Sequence, residues 1–191
     1  LKVEEFIKDI YLKSYAAHIH INYPILMSVS DEDGQILAAA GFRYADLGPL
    51  FLEQYLDKPV EDLLLTPRSR IVEVGNLASG GRGASFFLFA AFAAYFQNRG
   101  KSHAVMTATS SLEKRFLQMG LNPQRLSKAD PQMLKGSSED WGRYYDTDPF
   151  VMSGQFEESY KQLQRLLGAD YHDIKDKYYS RLHYKPDGET K

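Results

Sequence analysis

The sequence predicts a mixed α/β domain, one sheet with helices on its faces, and three observations predict it. Short apolar or alternating runs at residues 25–30, 36–43, 71–77 and 104–109 have the pattern of strands. Runs with a helical period stand at 4–17, 84–98, 111–119 and 155–167. The two kinds are interleaved along 191 residues, the length of one domain with a short appendage. The division this implies is a main domain over residues 1–154 and a C-terminal helical extension over 155–191.

Each element has a local reason. Phe6, Ile7, Ile10 and Tyr11 form one stripe of the first helix. Asp31-Glu32-Asp33-Gly34 is a turn signal between the first two strands, which therefore form a hairpin. Ala38, Ala39, Ala40 and Gly41 leave the second strand open to close packing. Residues 44–70 are a long connection holding two short helices, at 50–56 and 59–65, the second opened by Pro59. The strand at 71–77 runs into Ser79-Gly80-Gly81-Arg82-Gly83 and then into a helix that is apolar nearly all round, hence buried on most faces. Gly100 follows that helix as a terminating glycine would. Ser111 supplies capping chemistry for the next helix, closed by Gly120. Beyond Pro123 the pattern predicts an irregular strand within 122–134 and a last strand over the aromatic run 141–152. An amphipathic helix over 155–167 and a second tail helix over 173–182 complete the chain.

Composition excludes several classes. A formal net charge of −2 removes the electrostatic footprint of a general nucleic-acid binder. The absence of cysteine excludes a disulfide framework, a thiolate metal site and a cysteine nucleophile. His18 and His20 would share a strand face, but no third ligand accompanies them, so no metal is expected. The first fifteen residues mix charged and apolar side chains and carry no secretory signal, so a cytoplasmic location is expected. The longest nearly apolar run, residues 83–96, falls short of the ~20 residues that a span needs. The tail from residue 155 carries five Tyr and mixed charge, and is open to packing on its own domain, on a membrane surface or on a second copy.

Two features carry chemistry. The first is the strand, glycine turn and helix start over residues 71–85. Free backbone N–H groups and glycines at a helix N-terminus admit a phosphate, and Arg82 adds a cation suited to it. The turn fits neither the dinucleotide nor the Walker pattern. The second is Glu73, a lone carboxylate among Ile71, Val72, Val74 and Leu77. By alternation it shares a face with Ile71, Gly75 and Leu77. Burial raises a carboxylate toward the range of a general base, and a structural ion pair with Arg43 or Arg70 is the other reading. Arg43, Glu53 and Tyr55 beside the long connection are candidates for gripping a charged amine or a carboxylate. Trp141, Tyr144, Tyr145 and Asp146 form a polar–aromatic cluster able to line the same cleft.

The strand, glycine turn, helix, second strand and the run Phe116-Leu117-Gln118-Met119-Gly120-Leu121 resemble the core of the GNAT acyltransferase fold. Longer blocks over residues 48–57, 72–79, 129–131 and 141–147 resemble the thermostable hemolysin family, related in fold to acyl-homoserine lactone and N-acyl amino acid synthases. The resemblance implies a mixed, mostly antiparallel sheet and transfer of an acyl group, long-chain by preference, from coenzyme A or acyl carrier protein to a small amine. It implies that Glu73 takes the amine proton and that N–H groups near Gly75, Asn76 and Leu77, at a bulge, hold the oxyanion. Leu77, Ser79, Gly81, Arg82, Gly83, Ala84 and Ser85 would hold the phosphate arm, and Phe86, Phe87, Phe89 and Phe92 would face the acyl chain. Phe116 stands where the fold often has a general-acid Tyr, and it cannot donate a proton. Haemolysis would then come from a lipid product. The rival readings are a protein that disrupts bilayers directly and a non-catalytic carrier-binding protein.

Overall fold

In a computed structural model, which describes residues 1–81, 83–168 and 178–186, seven strands form one sheet in the order β5-β6-β4-β3-β2-β1-β7. The strands are β1 (Ile25–Ser30), β2 (Ile36–Tyr44), β3 (Ile71–Ser79), β4 (His103–Ala108), β5 (Gln124–Lys128), β6 (Phe150–Gln155) and β7 (Tyr179–Tyr184). Every neighbouring pair is antiparallel except β3 and β4. The helices are α1 (Lys2–Tyr15), α2 (Val60–Leu64), α3 (Ala84–Gln97), α4 (Ser110–Gln118) and α5 (Phe156–Leu167).

The sheet divides two interiors. On one side α3 lays Leu88, Phe92 and Phe96 against Met27, Val29, Phe42, Val72 and Val74. Helix α5 joins this layer, with Phe156 5.1 Å from Phe96 and Leu163 packed beside Phe89 and Ala93. On the other side α1 lays Val3, Ile7 and Tyr11 against Tyr23, Leu26, Ala39 and Ala78. The 3₁₀ turn Phe51–Tyr55 covers Ile71, Val105 and Val151 on that same side. A helix that is apolar all round is thereby explained: α3 lies between the sheet, α4 and α5.

One irregularity shapes everything that follows. Gly41 pairs with Gly75 and Ala39 with Ala78, so Ala40 of β2 faces two residues of β3, Asn76 and Leu77. This is a β-bulge, and Asn76 takes the left-handed conformation at φ 50° that Asn tolerates better than most residues. The extra residue reverses the alternation beyond it. Leu77 therefore packs with Val72 and Val74 on the α3 side, not with Ile71, Glu73 and Gly75 as simple alternation predicts. The bulge also carries β3 on to Ser79, two residues past its predicted end.

Three other elements differ from expectation. The last predicted strand begins at Phe150, not Trp141, because the aromatic run 141–147 forms 3₁₀ turns. Gly142 is pressed against the end of α1, where a Cβ would lie 2.3 Å from the Tyr15 carbonyl oxygen. Helix α4 is capped by Thr109, whose hydroxyl accepts the Leu112 N–H at 3.2 Å, and not by Ser111. Residues 179–182, read as the end of a tail helix, belong instead to edge strand β7, paired along the whole of β1; the earlier part of the expected helix, 173–177, lies outside the described residues.

Candidate functional site

The parallel pair β3–β4 is joined only at Ile71, Val72 and Glu73, opposite His103, Ala104 and Val105. Beyond those positions β3 stays with β2 and β4 stays with β6, so the two strands part. A cavity of ≈ 190 Å³ fills the gap, lined by Val74, Gly75, Leu77 and Ser79 from β3 and by Met106, Thr107 and Thr109 from the β4 end. Tyr11, Tyr15, Ser111, Arg115 and Tyr144 close it from above. Val74, Phe89 and Met106 also line a second cavity, ≈ 140 Å³, on the α3 side. Its walls are mostly hydrocarbon: Phe92, Ala93, Ala104, Phe116, Met152 and Leu163. Tyr11, Gly75, Thr107 and Tyr144 also line a third cavity, ≈ 60 Å³, on the α1 side. The gap thus shares one wall with an apolar chamber and another with a polar–aromatic pocket on the opposite side of the sheet.

The pocket on the α1 side is built from rings and their hydroxyls. Phe51, Tyr55, Trp141, Tyr144 and Tyr145 stand around it with Tyr11, Tyr23, His20, Asn22, Arg43 and Asn76. Trp141 lies 5.3 Å from Tyr144 and 5.7 Å from Phe51, both tilted contacts. The hydroxyls of Tyr55 and Tyr145 hydrogen-bond each other, and Tyr144 donates to the Thr107 carbonyl at 3.3 Å. Burial raises the pKa of each of these phenols, so all are neutral donors.

Glu73 sits behind this pocket at 1% exposure and does not line it. Its carboxylate accepts the Phe51 N–H at 3.0 Å and the Leu52 N–H at 2.9 Å, which fixes the connection against the sheet. Arg43 Nε, buried and without a hydrogen-bond partner among the described residues, faces Glu73 Oε2 at 3.5 Å. Arg43 also donates to the Asn22 carbonyl at 2.8 Å and lies 4.9 Å over the Tyr23 ring. Burial is the largest influence on Glu73 and raises its pKa, against the lowering effect of the two backbone donors and Arg43. Between Glu73 and the pocket stands Tyr23, its hydroxyl laid against Gly75 two residues along the strand; burial first, and then the charge of Glu73, raise its pKa.

The sequence profile described as thermostable hemolysin matches residues 1–160. The chain belongs to the thermostable hemolysin family. No curated protein matches it by sequence. Among solved structures, the family member resembles BjaI, a CoA-dependent acyl-homoserine lactone synthase solved with SAM and isopentyl-CoA. The TM-score is 0.60 at 12% identity, over 87% of this chain and 82% of that one. It resembles MesI, another CoA-dependent acyl-homoserine lactone synthase, with a TM-score of 0.55 at 15% identity over 86% and 87% of the two chains. TofI in a ternary complex with an inhibitor and MTA gives 0.56 at 15% over 76% and 74%. The likeness is one of fold.

In this hemolysin-family chain the residues singled out from sequence fall into three places. Arg43, Tyr55, Asn76, Trp141, Tyr144 and Tyr145 meet around the aromatic pocket. Leu77 and Ser79 line the gap, and Gly81 and Gly83 turn the chain into α3 at φ 93° and 72°, conformations that glycine adopts freely. Ala84 and Ser85 are buried at the start of α3, and Arg82 lies outside the described residues. Glu53 is not in the aromatic pocket. Arg68 takes both its oxygens, at 2.6 and 3.1 Å, and Leu50 N–H donates to it at 2.9 Å. Phe89 and Phe92 line the apolar chamber, while Phe87 stacks on Tyr178 at 4.2 Å. Phe116 packs on Phe89 at 5.0 Å. His20 reaches the pocket, and no group of three metal-ligating side chains occurs among the described residues. Nor is any described helix long and apolar enough to cross a membrane.

Sequence reasoning missed Tyr11, Asn22, Tyr23 and Thr107. Tyr23 had a signal in Gly41 and Gly75. A Cβ at Gly41 would lie 2.5 Å from Tyr23 Cβ, and one at Gly75 would lie 2.0 Å from Tyr23 Oη. Two glycines at paired positions of neighbouring strands mark a ring laid flat across them.

Proposed function

We propose that this chain is an acyltransferase that moves an acyl group from a thioester of coenzyme A or acyl carrier protein to a small amine. The observation that carries the reading is the gap between the parted β3 and β4, whose cavity shares walls with a cavity on each side of the sheet. A thioester has an apolar tail, a reactive carbonyl and a long polar arm, and the three spaces suit those three parts. The acyl chain takes the chamber lined by Phe89, Phe92, Met106 and Leu163. Its carbonyl lies at the bulge, where N–H groups over Gly75 to Leu77 hold the developing oxyanion. The phosphate-bearing arm leaves along Ser79 toward Gly81, Arg82, Gly83, Ala84 and Ser85 at the start of α3.

The acceptor amine enters from the opposite side. The aromatic pocket opens past Asn22, Arg43, Phe51 and Trp141 into an outer cleft of ≈ 480 Å³ that Glu53, Gln54 and Lys135 also line. Neutral phenols and a tryptophan favour an ammonium head, and Arg43 and Lys135 suit an acidic group on the same molecule. Amine and carbonyl then approach across Tyr11, Gly75, Thr107 and Tyr144, the residues common to pocket and gap. The product is an N-acyl compound with one polar end, which accounts for lysis of red cells by a lipid and not by the polypeptide.

The decisive experiment is a thermal shift of the purified protein against coenzyme A, palmitoyl coenzyme A and palmitoyl carrier protein. A ligand at about 100 times its Kd stabilises by ~2.7 kcal/mol. For a domain of this size that is a rise of roughly 5–10 °C. A rise with an acylated carrier identifies the donor, and no rise with any of them overturns the reading. Red cells given the protein without a donor should stay intact; lysis there points to direct action on the bilayer.

A further inference from the structure

We propose that the acceptor nitrogen gives its proton to Glu73 through the hydroxyl of Tyr23, an inference that rests on the acyl-transfer reading above. The geometry points to a relay because Glu73 cannot meet the amine itself. The carboxylate is 1% exposed and lines none of the cavities described above, and its oxygens already hold Phe51 and Leu52 N–H. Tyr23 lines the pocket on one side, and on the other its hydroxyl lies against Gly75, on the same face of β3 as Glu73 two residues away. The remaining pocket phenols lead elsewhere. Tyr55 and Tyr145 bond each other, Tyr144 donates to the Thr107 carbonyl, and Tyr11 packs on Tyr144 and Tyr15.

The position of Tyr23 is built, not incidental. Gly41 and Gly75 are the two residues whose lack of a side chain lets its ring lie on β2 and β3, and Gly75 passes within contact of its hydroxyl. Gly75 adjoins Asn76 at the bulge, so the relay hydroxyl lies against a residue next to the proposed oxyanion donors. The carboxylate keeps a spare lone pair beyond the two backbone donors. Its raised proton affinity, caused chiefly by burial, suits it to accept. The other titratable or charged groups around the pair are Arg43, Glu53, Tyr11 and Tyr55, with His20 across the pocket.

The step balances as follows. The entering ammonium passes one proton to Tyr23 Oη while the phenolic proton moves to Glu73. The freed lone pair forms the C–N bond, and the carbonyl π pair moves onto oxygen. Its return breaks the C–S bond, and the thiolate takes the second nitrogen proton to leave as a thiol. Glu73 then returns its proton to solvent through Tyr23 once the pocket empties. Tyr23 is thus a catalytic residue and Glu73 acts through it.

The test uses two nucleophiles and the variant Tyr23→Phe, which keeps the ring that fills the glycine cradle. The donor is octanoyl coenzyme A or octanoyl carrier protein, whichever the unsubstituted protein turns over. Propylamine is almost fully protonated at pH 7, as a lysine side chain is, and needs a base. Hydroxylamine is already neutral there and does not. With propylamine, Tyr23→Phe should lose roughly 100-fold or more at pH 7, the usual worth of a positioned base. Its rate should then climb about tenfold per pH unit, following the free amine. With hydroxylamine it should stay within a few-fold of the unsubstituted protein. An unchanged propylamine rate and pH profile overturns the relay and leaves the acyl-transfer reading standing. So does an equal loss with both nucleophiles, which marks Tyr23 as a packing residue. If the unsubstituted protein turns over neither donor with either amine, the acyl-transfer reading fails and the relay with it.

Discussion

The two sides of the sheet solve different problems with similar quantities of aromatic side chain. On the α3 side, Phe42, Phe89, Phe92, Phe96, Phe116 and Phe156 pack edge to face, tilted or stacked, and only the half-buried Tyr44 and Tyr95, against Phe42 and Phe96, bring hydroxyls among the described ring contacts of this group. On the α1 side, Tyr11, Tyr15, Tyr23, Tyr55, Tyr144 and Tyr145 pack as closely, but each carries a hydroxyl that needs a partner. A Phe interior can leave a dry void, since no lining atom asks for water. A Tyr interior is a set of directed donors, each fixed by what it bonds. The same sheet therefore presents a space chosen by shape on one face and a space chosen by hydrogen bonding on the other. Parting β3 from β4 leaves a gap whose walls are shared with both.

The sharpest way to break this comparison is to remove the charge from the hydroxyl side. Glu73→Ala leaves Arg43 facing an empty site and two backbone N–H groups unpaired. Breaking a buried pair by removing one partner costs about 3–5 kcal/mol. Urea denaturation should show a loss of that order. On the apolar side, Leu163→Ala should cost about 2–4 kcal/mol, by volume alone. If the two losses come out reversed in order, Glu73 is more loosely held than its partners imply.

A smaller cut tests the cradle. Gly75→Ala puts a Cβ 2.0 Å from Tyr23 Oη, so ring or strand must shift. Overpacking of this kind costs about 1–3 kcal/mol. Thermal denaturation should register it, and the same substitution made in a Tyr23→Ala chain should cost little further. An equal cost in that background would mean that the strand itself, not the ring, requires glycine.

How far these arrangements were legible follows from the same physics. Glu73 announced itself because a single carboxylate in an apolar strand has few stable explanations. The order of elements from α1 to α4 was legible because each has its own period and punctuation. The bulge was not, since Asn76 is unremarkable until its pairing with β2 is known, and with it went the true face of Leu77. The run Trp141 to Thr147 resembles a strand in composition, yet Gly142 is there to touch the end of α1, a contact sequence spacing cannot show. Strand β7 is an exposed edge, and a strand with both faces half in water has no alternation to read. Arg43, Glu53 and Tyr55 were grouped by proximity in sequence. The fold separates Glu53 from the others because Arg68, fifteen residues on, claims it.

The chamber offers a test by filling. Ala104 lines its wall, and Ala104→Leu adds three carbons to that space. If an acyl tail occupies it, the donor must shorten by about as many methylenes. At ~0.8 kcal/mol for each buried methylene the loss of tail contact is roughly 2 kcal/mol. That is about thirtyfold in kcat/KM for the longest accepted chain, with short chains little changed. Equal loss at all chain lengths would place the tail elsewhere.

The smallest effect we expect is a tilt of stability with pH, and its sign separates the two sides again. Glu73 has a pKa raised by burial above the ordinary carboxylate value of 4.5. Between that value and the raised one, the folded chain holds a proton that the unfolded chain has released. The unfolded state then binds fewer protons, so stability falls as pH rises through the window and stays lower above it. Glu4 and Glu53, whose ion pairs lower their pKa, tilt the other way and act below 4.5. His103 and His183, lowered chiefly by burial, add stability as pH rises through their own range. Subtracting one chain from another isolates the Glu73 share: urea midpoints of the unsubstituted protein and of Glu73→Gln, taken from pH 4 to pH 8, should converge in acid and part above it, with the Gln chain the flatter. Parallel curves would mean that Arg43 and the backbone donors fully offset burial, and that Glu73 is held as a settled anion with no appetite for a proton.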